Sequence, residues 1–164
     1  MVIRDAVESD LPFILRVFNA AIAETTANWN LAPVTLEDRA SWLKQRQSAG
    51  CPVVIAEDRG RPLGFGAWGP YRPWEGYRYT VEHSIYVDAP ARGQGVGQAL
   101  LQHLVERAER AGKHAMVAGI EAGNAVSIRL HERAGFHEAG RLHEVGRKFD
   151  RWLDLVFMEK LLRT

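Results

Sequence analysis

From residue 88 the chain reads Asp-Ala-Pro-Ala-Arg-Gly-Gln-Gly-Val-Gly-Gln, and Gly93, Gly95 and Gly97 alternate where a long helical pattern begins. A helix start carries unpaired N–H groups and a partial positive charge, and glycines there remove the side chains that would block a ligand. The result is a backbone cradle for phosphate oxygens. Arg92 stands where it can add a charge-assisted contact or turn to solvent. A dinucleotide fingerprint would need a glycine where Gln98 sits, and a nucleotide P-loop would need Gly-Lys-Ser/Thr, which the chain lacks. A tight turn with close helix packing is the alternative use for the three glycines.

The second candidate is Glu82, in the middle of "TVEHSIYV", a stretch dense in β-branched and aromatic residues where an acid is poorly placed. Strand alternation puts Glu82, Ser84 and Tyr86 on one face and Val81, His83 and Ile85 on the other. A partly buried carboxylate has a raised pKa, which suits a general base. An edge-strand carboxylate facing solvent fits the same residues. Cys51, the single cysteine, sits in "SAGCPVVIA" and reads as a small apolar residue entering a buried strand rather than as a nucleophile. The six histidines show no metal-ligand spacing.

These residues need a frame. "VIRDA" reads as a first strand, and "ESDLPFILRVFNAAIAET" as a helix capped by Ser9 or Asp10 with Phe13, Val17, Ala20 and Ala21 on one face. "TLEDRASWLKQRQSAG" is a second helix, opened by a Thr35–Asp38 capping box and ended by Gly50. "PVVIAED" and "RPLGFGAWGP" form a hairpin through Arg59-Gly60, followed by "YRYTVEHSIYV". A helix to Gly112, the strand "KHAMVAGIE", the helix "NAVSIRLHERAG" and two closing strands, the second "RWLDLVFMEKL", complete the order. The expected fold class is α/β (α+β), with a mixed, mostly antiparallel sheet of about seven strands flanked by about four helices.

The chain has 164 residues, enough for a single domain over residues 1–164. With 21 basic and 20 acidic side chains it lacks the concentrated positive charge of a general nucleic-acid binder. No run is long and apolar enough to span a membrane, and the charged start "MVIRDAVESDL" has no signal core. A lone cysteine forms no internal disulfide, so the expected compartment is the cytoplasm, with no metal, membrane or nucleic-acid partner.

"VDAPARGQGVG" resembles the acyl-CoA-binding motif of the GNAT superfamily of N-acetyltransferases, and "NAVSIRLHERAGF" resembles that superfamily's second motif. "RYTVEHSIYV" and "GRKFDRWLDLVFMEKLL" are similar to the phosphinothricin acetyltransferase-like branch, and within it to the methionine sulfoximine/methionine sulfone acetyltransferases. The resemblance spans essentially the whole chain and implies a single-domain GNAT fold. It implies acetyl-CoA as the acyl donor, its pyrophosphate on the N–H groups of Gly93, Gln94, Gly95, Val96, Gly97 and Gln98. It implies that the backbone of Ile85, Tyr86 and Val87 pairs with the pantetheine arm like an added strand, with Asn124 and Ser127 also toward the cofactor.

The same resemblance implies direct attack by an amine in a ternary complex, without an acyl-enzyme. Glu82 becomes the base, directly or through water, and the N–H of Val87 polarises the thioester carbonyl. His131 stands where many relatives carry a tyrosine acid; a proton donor and a packing residue are both open readings, with Tyr86 a second candidate donor. In "WGPYRPWEGYRYT", Arg72 can hold a substrate carboxylate while Trp74 and Tyr77 wall a pocket, with Trp29 on a covering segment; aromatics packed on the core or on a second subunit are the alternative. The expected activity is α-amino acetylation of methionine sulfoximine, methionine sulfone, phosphinothricin or a similar small amino acid, by a homodimer. A GNAT enzyme for another amine (a polyamine or a protein N-terminus) and a non-catalytic CoA-binding module remain the competing readings.

Overall fold

In the computed structural model, which describes residues 1–163, the expected elements form in the expected order. They are β1 (Val2–Asp5), α1 (Leu11–Glu24), α2 (Leu36–Ser48), β2 (Val53–Asp58), β3 (Arg61–Pro70), β4 (Thr80–Val87), α3 (Val96–Arg110), β5 (Ala115–Glu121), α4 (Ala125–Arg133), β6 (His137–Lys148) and β7 (Arg151–Leu161). One seven-stranded sheet results, in the order β1-β2-β3-β4-β5-β7-β6. Every neighbouring pair is antiparallel except β4–β5. That parallel pair is joined through α3, the helix that follows the glycine loop.

Local chemistry explains most of the boundaries. Thr35 Oγ1 accepts from the Asp38 N–H at 3.1 Å while the Asp38 carboxylate accepts from the Thr35 N–H at 3.0 Å, so the capping box starts α2. Arg59 and Gly60 both take positive φ (49° and 76°), the geometry of a two-residue hairpin turn. Two details depart from expectation. Asp10 precedes α1 without capping it: its carboxylate is drawn into a bidentate pair with Arg4 (2.7 and 2.9 Å) and accepts from the Val7 N–H. The buried face of α1 is Leu11, Ile14, Val17, Phe18, Ala21 and Ile22, with Phe13 and Ala20 at its margin, because the helix is phased by its packing on the sheet.

The sheet has a core on each face. Leu100, Leu101 and Leu104 of α3 pack with Met116, Val156 and Met158 on one side. On the other side Ile14, Phe18 and Leu43, from α1 and α2, pack on Ile55 and Phe65. Burying one such side chain is worth about 2 kcal/mol, so the two layers fix β4 between them from both directions.

Candidate active site

Where β4 and β5 separate, the sheet opens. They pair only through Thr80↔Ala115, Val81↔Met116 and Glu82↔Val117; beyond Glu82 no ladder joins them. The last residues of β4 therefore keep backbone groups that face a gap. Alternation says which. The Asp88 N–H bonds Leu63 O, and the carbonyls of Ser84 and Tyr86 face Gly66 and Gly64 of β3. The peptide groups of Ile85 and Val87 consequently point the other way, into the gap. This corrects the expectation for Tyr86, whose backbone is turned toward β3.

The gap leads to the glycine loop. Gly93 and Gly95 take φ of 76° and 79°, conformations that disfavour any side chain, and the space where a Cβ would project is empty at both. Gly97 differs: a Cβ there would meet Leu130 Cδ1 of α4 at 2.9 Å, so this glycine serves close helix packing. Gly95 opens α3, and no side chain caps the helix. Its first N–H groups are thus left to a ligand, in an exposed loop. Arg92 is turned back toward the strand end, its Nε donating to Val87 O at 3.4 Å. An extended chain in the gap and an anion on the loop is the arrangement that CoA requires, and these residues fit it.

Glu82 stands where the strands part. Its Oε1 lies 3.5 Å from where a Cβ on Gly119 of β5 would be. Glu82 is exposed at the surface of the sheet, yet the atoms packed around its carboxylate partly desolvate it and push its pKa up, opposed first by the positive charge of Arg72 and then by that of Arg46. Among the described residues, no hydrogen bond or ion pair ties Glu82, Arg72 or Arg46 to a partner; Arg72 lies over the Tyr71 ring, 4.8 Å from its centroid. Arg46 escapes a reading of the sequence. A Cβ built on Gly69 would coincide with its guanidinium, and Gly69 is the cross-strand partner of Glu82. The only local sign is a glycine inside a strand, which marks a close approach without saying of what.

On this same face a recess of about 370 Å³ is lined by Tyr71, Tyr77, Thr80, Val117, Phe157 and Glu159 among others. Tyr77 is one of the residues that line it. Trp74 is not: it remains 67% exposed and touches the recess only through Tyr77, at 6.4 Å between rings. Trp29 belongs to a strapped segment rather than a loose cover. Its ring lies where a side chain on Gly146 would project. Lys148 Nζ donates to the carbonyls of Thr25 and Asn28, Thr26 Oγ1 donates to Glu121, and Asn28 Nδ2 donates to the Tyr86 hydroxyl at 3.1 Å. Residues 25–30 therefore bridge the ends of β4 and β5 over the gap. Tyr86 accepts that bond and stacks on Phe65 (5.2 Å), which leaves its own O–H uncommitted; burial pushes its phenol pKa up, so the proton is held more tightly than on a free phenol.

His131 lies on the opposite face of the sheet from Glu82. Its Nδ1 is 2.7 Å from Ser127 O, a group that only accepts, so Nδ1 carries the proton. Its Nε2 faces His83 Nε2 at 3.1 Å. In the neutral pair His83 donates and the second nitrogen of His131 is bare. Burial drives both pKa values down, that of His83 to about 3 with the His131 charge as a further cause. His131 thus has no proton free for a departing sulfur, which turns the balance toward packing. Asn124 and Ser127 serve the same helix: Asn124 Oδ1 caps α4 by accepting from the Ser127 N–H at 3.1 Å. The Asn124 amide nitrogen keeps its donors, and the Ser127 hydroxyl, 3.5 Å from His131 Nδ1, keeps its own.

Comparison with known proteins gives the family and the shared fold. The acetyltransferase (GNAT) family profile matches residues 14–136. The chain is 52% identical over 158 residues to the L-methionine sulfoximine/L-methionine sulfone acetyltransferase of Pseudomonas paraeruginosa, covering 96% of this chain and 92% of that one. It superposes on the ribosomal-protein-alanine N-acetyltransferase of Brucella melitensis with a TM-score of 0.97 and 49% identity, covering 99% and 100% of the two chains. The Salmonella typhimurium protein yncA, solved with its cofactor acetyl-CoA, gives a TM-score of 0.97 at 44% identity, covering 100% and 95%. With a fold shared over nearly its full length, an uncapped glycine loop and a sheet split beside an acidic residue, this chain belongs to the GNAT family of acetyltransferases.

Proposed function

We propose that the protein is one N-acetyltransferase domain that moves an acetyl group from acetyl-CoA to the α-amino group of a small amino acid, methionine sulfone, methionine sulfoximine or phosphinothricin being the chemical type. The observation that carries this is the position of Glu82 at the branch point of β4 and β5, between a gap shaped for an extended cofactor arm and an open face bearing two uncommitted guanidiniums. Acetyl-CoA supplies an acetyl group activated as a thioester. The N–H groups of Gly93 through Gln98 hold its diphosphate, the peptide groups of Ile85 and Val87 hold its arm, and the Asn124 amide donates to it. Glu82, its basicity increased by partial desolvation, takes the proton from the substrate ammonium directly or through one water. The neutral amine then attacks the thioester carbonyl, the C–S bond breaks, the nitrogen gives its second proton to solvent to leave a neutral amide, and the sulfur leaves as thiolate, which needs no acid. The Val87 N–H donates to the carbonyl oxygen as negative charge builds there.

On the acceptor side Arg72 holds the substrate carboxylate, and Tyr77 with Tyr71 and Phe157 bounds the side-chain recess. Two arginines beside the base disfavour a polyamine. A protein N-terminus is the second reading, and the Brucella protein's name favours it. We place the enzyme in the cytoplasm as a homodimer. Among the described residues no helix is long and apolar enough to cross a membrane, and the edge strand β6 and its neighbour expose Leu142, Val145 and Trp152.

The test is free-thiol release from acetyl-CoA with methionine sulfone, methionine sulfoximine, phosphinothricin, common amino acids, spermidine and a peptide with N-terminal alanine. Turnover concentrated on the sulfone and sulfoximine is expected. Turnover of the peptide alone selects the second reading. Tight CoA binding with no turnover of any amine makes the protein a binding module.

A further inference from the structure

Arg46 stands out among the groups on the acceptor face because two unrelated residues are arranged around it. Residues directly opposed in an antiparallel pair put their side chains on the same face, with Cβ atoms about 5 Å apart. Gly69 and Glu82 are such a pair, and the Arg46 guanidinium occupies the volume where a side chain on Gly69 would start. Its charge therefore lies about 5 Å from the Glu82 Cβ. The Glu82 carboxylate leans the other way, over Gly119. Glycines on both neighbouring strands thus flank Glu82, one covered by Arg46 and one by the carboxylate itself. Arg46 comes from the last turn of α2, whose Leu43 is packed in the core, so its stem is anchored. Among the described residues its guanidinium makes no ion pair within 4.0 Å and no side-chain hydrogen bond, and Glu82, whose carboxylate feels its charge, is not bonded to it.

An unpaired guanidinium a few ångströms from a base suits a ligand that carries an anion beside the amine being deprotonated, and a carboxylate one carbon away is such an anion. In an α-amino acid the ammonium and the carboxylate sit on the same carbon, so a single molecule answers Glu82 and Arg46 at once. We propose that Arg46 is a specificity-determining residue that binds the α-carboxylate of the amino-acid acceptor, facing Arg72 across the site. The inference rests on the amino-acid reading given above and adds to it the residue that makes an α-carboxylate obligatory. Arg46 lies on a helix and Arg72 on an exposed loop, so Arg46 supplies the fixed half of the site and Arg72 the adaptable half.

Three variants test it against two acceptors, methionine sulfone and the amine obtained from it by removing the carboxylate. Arg46→Ala should raise KM for methionine sulfone about 10- to 100-fold, the range for losing a charge-assisted hydrogen bond, and leave KM for acetyl-CoA within about twofold. The decarboxylated amine, which has no carboxylate to lose a partner, should show no such rise in KM in the variant. Arg46→Lys, which keeps the charge without the fork, should recover part of the loss. Gly69→Ala should raise the same KM with Arg46 still present, by pushing its guanidinium aside. An unchanged methionine sulfone KM in Arg46→Ala, or an equal loss with both acceptors, overturns the proposal. An unchanged KM in Gly69→Ala beside a raised one in Arg46→Ala overturns the placement of the guanidinium. Should the wild type acetylate no amino acid, calorimetric binding of methionine sulfone to the CoA-loaded protein still decides: binding lost only in Arg46→Ala upholds the site while the activity reading fails, and equal binding in both ends the proposal.

Discussion

On one face of β4, Glu82 stands beside two guanidiniums with no bond joining any of them; on the other face, His83 and His131 lie 3.1 Å apart with their protons assigned by a backbone carbonyl. The two regions are one residue apart in sequence and share the same cause of perturbation. Desolvation penalises charge in both, pushing the carboxylate pKa up and the imidazole pKa values down. The consequences differ because of what surrounds each group. Glu82 keeps solvent contact and cationic neighbours, so it remains able to ionise and becomes a stronger base. The histidines are sealed against Phe136 and have no acid nearby among the described residues, so they stay neutral. Proximity to the split in the sheet does not by itself make a residue reactive; uncommitted hydrogen-bonding capacity does.

The sharpest way to break this contrast is to remove the base. Glu82→Gln keeps the size and the hydrogen-bonding shape but not the proton acceptor, and general-base loss costs about 10²- to 10⁴-fold in kcat. In the wild type, kcat/KM should fall on the acid side of a limb lying above the ordinary carboxylate range, because partial desolvation raises the Glu82 pKa. The limb should vanish in the variant. A variant within about threefold of wild-type kcat would give the base role to another group or to bulk water.

The histidine face makes a prediction about stability. His83 has an ordinary pKa of 6.5 when unfolded and about 3 when folded. As pH drops below 6.5 the unfolded chain takes up a proton that the folded chain refuses. The stabilising contribution is complete above pH 6.5 and is lost progressively down to pH 3. Between pH 7 and pH 5 this one residue should cost the fold about 2 kcal/mol. Urea unfolding at the two pH values measures the loss, and His83→Phe, which cannot titrate, should show a shallower fall. Equal slopes would mean that His83 is solvated or charged in the native state.

These two faces also mark how far local sequence reaches. Alternation in "TVEHSIYV" separates Glu82 from His83, and the glycine loop, the Thr35–Asp38 box and the Arg59-Gly60 turn all announce themselves, because each depends on residues within a few positions of one another. Arg46 does not, since a long side chain reaches from a helix to a strand more than twenty residues away and only the finished fold shows where it lands. The direction of the Tyr86 backbone is hidden from the sequence for a related reason: which edge of β4 a peptide group faces is set by its register with β3. Trp74 and Trp29 look alike as exposed aromatics in the sequence. Trp29 is fixed by Gly146 and the Lys148 strap, contacts that arise only when the β6–β7 hairpin closes over the α1–α2 connection.

The smallest effect tests the histidine face where it adjoins the chemistry. If His131 were the acid for the leaving sulfur, its removal would cost at least as much as other general-acid losses, about 100-fold or more in kcat, and would abolish a limb on the alkaline side of the rate profile. Its bonds point to a different outcome. Nδ1–H is spent on Ser127 O, Nε2 receives from His83, and a thiolate leaves readily without a proton. His131→Asn can keep a donor toward the Ser127 carbonyl while deleting Nε2, so kcat should fall less than about tenfold with the alkaline limb in place. The variant should instead lose thermal stability, since His83 is left with a buried N–H and no acceptor. A large drop in kcat at unchanged stability would put the proton back on His131 and make both faces of β4 reactive.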